Sequence, residues 1–231
     1  MNTNNLHYIQ MLIVKDLLFR EGASFTDINT KEIDSEHFAY HIKKLIELNL
    51  VKKTEDKRYY LTPEGKKFGR TIDVFKNEVE KQPLVAVVGF CIKDNKVLML
   101  KRLKSPFFGY YGVITGTVKY GESFEESLIR ETKEEADIIP TKFRQKCIVH
   151  DRVYTKQKEI LEDKLFILFE INEFNGTPKK TIEGEPIWIE KQQLGQLENK
   201  FYDIEDLLKW TISPPEGNYI EKDYFVDRST F

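Results

Sequence analysis

Along the first third of the chain the apolar positions recur at helical spacing. Tyr8, Met11, Leu12, Leu18 and Phe19 form one stripe, with Lys15 on the same run, and predict an amphipathic helix that stops at Gly22. A brief helix is expected from about Thr26 to Thr30. A third begins at Asp34 or Ser35, either of which can cap it, and runs through Phe38, Ile42, Leu45, Ile46 and Leu48. Next, 50–54 and 58–62 read as two strands around the charged turn Glu55-Asp56-Lys57. Pro63 stands where a helix can begin, and 64–74 is patterned as one.

Past a charged stretch, 73–82, that ends in Pro83, the period changes. Residues 84–92 are almost continuously apolar β-formers, Asp94-Asn95 is a turn, and 97–100 is a second strand. Further strands are expected at 147–154, 165–171 and 187–189, with helices over 123–136 and 204–210. This reads as a mixed sheet flanked by helices. Domains of 1–80 and 81–231 follow from the change of pattern.

The N-terminal order of three helices, a hairpin and a helix is that of a winged helix-turn-helix. The run from Tyr40 to Val51, followed by Tyr60-Leu-Thr-Pro-Glu-Gly65, resembles ArsR/MarR-like winged-helix regulators. That resemblance implies a third helix that reads the major groove of DNA and a hairpin that touches its backbone. Overall charge adds little, since 36 Lys and Arg against 38 Asp and Glu leave the chain at −2. Locally the picture differs, because 40–72 carries nine basic residues against four acidic ones. Lys43, Lys44, Lys57 and Arg58 are the candidate phosphate contacts. The alternative is a solvated face on a docking or dimerisation module.

The segment that carries chemistry is Gly116-Thr-Val-Lys-Tyr-Gly-Glu122, then seven residues, then Arg130-Glu131-Thr-Lys-Glu134-Glu135-Ala-Asp-Ile138. Ser123-Phe-Glu-Glu126 is a capping-box pattern, so a helix should start at Ser123. On it Glu131, Glu134 and Glu135 stand three and four residues apart and share a face. Three like charges gathered in this way invite a hard cation with oxygen ligands, Mg²⁺ first, with Mn²⁺ as a substitute. A solvated acidic helix face is the plain alternative. It does not account for a capped helix that follows a glycine-containing loop in a β-rich domain.

The same segment resembles the Nudix box, G-x5-E-x7-R-E-U-x-E-E-x-G-U, where U is a bulky aliphatic residue. Thr132 replaces one aliphatic position and Asp137 the second glycine, so an altered helix exit is expected. The resemblance implies an α+β architecture, a Nudix α/β/α sandwich with a mixed sheet, here preceded by the small winged-helix domain. It implies hydrolysis of a nucleoside diphosphate linked to another group. Glu131, Glu134 and Glu135 would ligate metal with help from the Gly116 carbonyl, and Arg130 would orient a box glutamate. Glu122 would act through an outer-shell water, and Glu183, with Glu185 as rival, would be the general base. The other reading is a transcriptional regulator whose Nudix domain senses a nucleotide or ADP-ribose-like effector.

Three further readings complete the expectation. Cys91 and Cys147 match no metal or redox spacing. The start of the chain lacks the basic residues of a secretion signal, and 12–19 is too short to span a bilayer, so a soluble cytoplasmic protein is expected, with a homodimer possible. The charged stretch 155–164 reads as an insertion able to cover the site, and the aromatic tail 219–231 as a segment able to dock onto a neighbour or its own domain.

Overall fold

The computed structural model describes residues 6–29, 33–105 and 107–227. The chain divides into two compact units, Met1–Lys81 and Gln82–Phe231. Among the described residues no helix is long and apolar enough to cross a membrane.

In the first unit, helices α1 (Tyr8–Leu18), α2 (Phe25–Ile28) and α3 (Ser35–Glu47) precede a hairpin of β1 (Val51–Lys53) and β2 (Tyr59–Leu61). Asp34 caps α3 by accepting from the amides of Glu36 and His37. Thr30, expected at the end of the second helix, lies outside the described residues. Ile13, Val14, Leu17, Phe38, Ile42, Leu45 and Leu61 pack into one core, which is what their helical and strand spacing requires. Helix α4 (Pro63–Gly69) is shorter than the pattern suggests. Its continuation turns into a small hairpin of β3 (Ile72–Asp73) and β4 (Glu78–Val79). Asp73 drives that turn by accepting from the amides of Phe75 and Lys76.

The second unit is α+β, built on an eight-stranded mixed sheet. Its path runs β11 (Gly184–Glu190), β6 (Lys96–Arg102), β5 (Leu84–Lys93), β10 (Ile160–Asn175), β9 (Ile139–Thr155) and β12 (Tyr219–Val226). Two short strands complete it, β7 (Tyr111–Gly112) on β6 and β8 (Ile114–Thr117) on β5. β10 runs parallel to β5, and β12 parallel to β9.

The near-continuous apolar run of β5 has a direct cause: both faces of the sheet are covered. Val87, Cys91, Ile167 and Phe169 face α5 (Phe124–Ala136) through Leu128 and Ala136. Ala86, Val88, Phe90, Phe166 and Leu168 face α6 (Ile204–Ile212) through Ile204, Leu207 and Leu208. Both cysteines are buried in these layers.

One expectation changes. Residues 155–164 are no separate insertion: a tight turn leads directly into β10, whose first residues are Ile160 to Lys164. The tail docks within its own unit, one of the two places expected, as β12, with Phe225 stacked on Tyr154 at 5.6 Å; Phe231 lies outside the described residues.

Candidate functional site

The site forms where β8 hands the chain to α5. Ser123 caps the helix, accepting from the Glu126 amide at 3.2 Å, while the Glu126 carboxylate accepts from the Ser123 amide at 2.8 Å. At the other end Asp137 takes a left-handed φ of 57° in the place where a glycine is usual. Its carboxylate is held by Lys133 and Lys179, so the backbone exit is kept and only the residue is altered.

The helix turns its glutamates to different tasks. Glu135 is 7% exposed and accepts from the Thr115 amide at 3.0 Å. Burial pushes its carboxyl up to about 8. Glu131, 8% exposed, lies against the Cα of Gly116: a Cβ built there would stand 1.7 Å from the Glu131 carboxyl carbon. Burial raises the Glu131 pKa as well. Glu134 is exposed.

Arg130 ties these groups together. Its Nε and Nη2 donate to the two oxygens of Glu122 at 2.6 and 2.8 Å, a bidentate fork. Nη1 donates to Glu131 and, at 3.1 Å, to Glu134, and Nη2 also reaches the Thr117 carbonyl at 3.0 Å. The fork holds the Glu122 carboxyl down at about 2. Arg130 is raised in turn and stays a cation at all ordinary pH.

Strand geometry adds a residue that the sequence pattern did not single out. Backbone polar groups alternate across an antiparallel strand. The Val118 amide bonds to Val85, whereas the Thr115 amide bonds outward to Glu135. The carbonyls of Thr115 and Thr117 therefore point to the carboxylate side, and that of Gly116 points toward Val87, its partner in register. A motif written in side chains carries no signal for which carbonyl faces outward.

A third loop closes on the same place. The Thr181 hydroxyl donates to the Glu135 carbonyl at 3.2 Å and accepts from the amides of Glu183 and Gly184. Glu183 thereby lines the same cavity as Glu135 and pairs with Lys104. Glu185 is exposed and paired with Lys180 at 3.2 Å. The cavity, about 190 Å³, is lined by Thr115, Glu135 and Glu183 together with Arg102, Phe107, Phe201 and Asp203. Lys104 and Asp203 were not legible in the sequence as site residues, since neither lies near the motif.

The donor set around Gly116 is all oxygen, which suits a hard divalent cation. Among the described residues no three His, Cys, Asp or Glu side chains converge, as they stand, to hold a metal ion. The reason is visible: the Arg130 guanidinium already bridges Glu131 and Glu134, and the Thr115 amide holds Glu135. That cation between carboxylates marks a place where positive charge is accommodated.

The candidate nucleic-acid residues of the first unit lie on α3 and at the hairpin turn. Lys43 and Lys57 are exposed, Lys44 pairs with Glu47 at 2.7 Å, and Arg58 donates to the Gly22 carbonyl at 2.8 Å. Arg58 thus has a structural task between the hairpin and the end of the first helical segment.

The site is thus a two-sided α/β sandwich with an acidic helix at a strand end beside a cavity. The family model for the NUDIX domain matches residues 81–221, and the chain belongs to that family. It is also similar to an ADP-ribose pyrophosphatase of Methanocaldococcus jannaschii, 41% identical over 80 residues that make up 33% of this chain and 47% of that protein. The chain thus spans about half the length of the curated relative it matches. Among solved structures, a MutT protein from Bacillus halodurans is 19% identical over 64% of this chain and 93% of that one, with a TM-score of 0.49. The NUDIX domain of Shewanella oneidensis NrtR, solved with ADP ribose, is 19% identical over 58% and 90%, with a TM-score of 0.47.

Proposed function

We propose that the second unit hydrolyses the diphosphate linkage of a nucleoside diphosphate joined to another group, an ADP-ribose-like compound among the first candidates. The observation that carries this is the seating of Glu131 against Gly116 on the same helix as Glu135, which lines the cavity with Thr115 and Glu183. The similarity to an ADP-ribose pyrophosphatase supports the substrate class.

Glu131, Glu134 and Glu135 are the residues that would hold the cation, with the outward carbonyl of Thr115 in the role first given to Gly116. When bound, Mg²⁺, or Mn²⁺ in its place, supplies neutralisation of the diphosphate oxygens and a more acidic water. Arg130 orients Glu122, Glu131 and Glu134 by direct charge-assisted bonds and, in this reading, does not touch substrate. Glu183 lines the cavity and pairs with Lys104; in this reading its carboxylate accepts a proton from water. Arg102 lines the wall where a phosphate would pass.

The test is turnover of a panel of nucleoside diphosphate derivatives with and without Mg²⁺, for wild type and Glu183→Gln. Metal-dependent cleavage reduced about a hundredfold or more in the variant supports both parts of the reading. Equal turnover in the variant removes Glu183 from the base role.

A regulator that senses an ADP-ribose-like effector is the second reading. It is favoured by a first unit whose order of three helices, hairpin and helix fits a winged-helix module, with Lys43 and Lys57 exposed on helix and hairpin. Salt-dependent DNA binding that weakens in a Lys43→Ala, Lys57→Ala double variant would carry it. No binding at low salt, together with dimerisation lost on removal of 1–80, would favour a docking role.

A further inference from the structure

Three of the four histidines of the chain meet in the first unit. His37 and His41 stand one turn apart on α3, at i and i+4, so their rings share a face of the helix. His41 is 4% exposed, whereas His37 reaches solvent. Their Nε2 atoms face each other at 3.0 Å. The His7 ring stacks on His41 at 4.5 Å and Tyr40 meets it edge to face at 5.4 Å, so the His41 imidazole is held from two sides.

Protons alone do not satisfy this pair. One Nε2 can donate to the other, but Nδ1 of His41 is buried with no hydrogen-bond partner. A His41 cation would bury a charged N–H against no acceptor, so the neutral ring is favoured, and the neutral ring is the form that ligates metal.

The spacing of the two rings is that of a chelate. Two nitrogens 3.0 Å apart, each about 2.0–2.1 Å from a shared ion, subtend roughly a right angle at it. The ring centroids lie 4.7 Å apart, wider than the nitrogens, so both Nε2 edges turn inward. Histidines four residues apart on one helix face give a transition ion a two-point grip. A right angle suits a tetragonal ion better than a tetrahedral one. His7 is not counted as a ligand, because its Nδ1 accepts from the Ile9 amide at 3.2 Å as the cap of α1. Among the described residues no three His, Cys, Asp or Glu side chains converge on a metal position, so water would fill the other coordination places.

We propose that His37 and His41 form a two-histidine site on α3 for a tetragonal transition ion of the Ni²⁺ or Cu²⁺ class. The site is independent of the hydrolase reading: it lies in the first unit and offers imidazole nitrogen, whereas the box glutamates of the second unit offer the oxygen that Mg²⁺ prefers.

The experiment is calorimetric titration of the full chain with nickel chloride, in an excess of Mg²⁺, for wild type, His37→Gln and His37→Cys. His37 is exposed, so the glutamine should leave the melting temperature of the metal-free protein unchanged. Wild type is expected to take up one Ni²⁺ that His37→Gln binds at least about tenfold more weakly, since even a supporting group beyond the ligands is worth about that much to a metal site. Ni²⁺ should raise the melting temperature of wild type more than that of His37→Gln. His37→Cys, which supplies a thiolate instead, should recover part of the binding, and Mg²⁺ alone should affect all three proteins equally. Equal Ni²⁺ uptake by wild type and His37→Gln, or no Ni²⁺ bound by wild type in excess Mg²⁺, overturns the site.

Discussion

Replacing Gly116 by alanine tests the geometry at its tightest point. The new Cβ would meet the Glu131 carboxyl carbon at 1.7 Å and one carboxylate oxygen at 2.0 Å, where ordinary contact begins at 3.4 Å. Gly116 lies in a strand paired with β5, so the backbone is held and the side chain must give way. The Glu131 carboxylate therefore retreats by more than an ångström and leaves its place under Arg130. A misplacement of about 1 Å in a catalytic group costs on the order of a hundredfold. We expect kcat/KM for a nucleoside diphosphate derivative to fall by about that factor or more. The melting temperature should hardly change, because the displaced group is the end of a flexible side chain. Steady-state kinetics with a thermal melt reads both. Wild-type kinetics in a folded Gly116→Ala protein would refute the placement of Glu131 in the site.

Three further outcomes follow from the same structure. Burial, with the Asp203 charge, pushes Asp151 from 3.8 up to about 8, so the native state keeps a proton that the unfolded chain has released. Stability should therefore fall as pH rises from about 4 to about 8. Asp151→Asn should flatten that slope and raise stability by at least about 1 kcal/mol at pH 8, and parallel wild-type and variant curves would contradict this. Gly65→Ala puts a Cβ 1.9 Å from the Leu50 carbonyl oxygen, a backbone atom; chemical denaturation should show a loss of about 1–3 kcal/mol confined to the first unit. Ser123→Ala removes one half of the capping box and should cost about 1 kcal/mol in the second unit's unfolding.

Local signals in the sequence were strong where chemistry is local. The capping box at Ser123 placed the start of α5, and the spacing of Glu131, Glu134 and Glu135 placed three carboxylates near one strand end. The apolar run of 84–92 marked a strand buried on both faces. What escaped depends on long-range pairing. The strands β9 and β10 continue through polar residues such as Glu162 and Lys164, whose alternation is masked by charge. Helix α4 ends at Gly69 because Asp73 organises a competing turn, a side-chain effect invisible to periodicity. Lys104, which pairs with Glu183, and Asp203, which lines the cavity, come from separate stretches of chain, and no spacing rule connects them.

The most direct test of the central claim is hydrolysis of a nucleoside diphosphate derivative by wild type and by Glu134→Gln, each with Mg²⁺ and with a chelator. Glu134 is exposed and bonded to Arg130, so the amide should leave the fold intact. Cleavage at the diphosphate that requires the metal and falls by about a hundredfold or more in the variant is the predicted result. Cleavage that survives the chelator, or is equal in both proteins, would contradict the account.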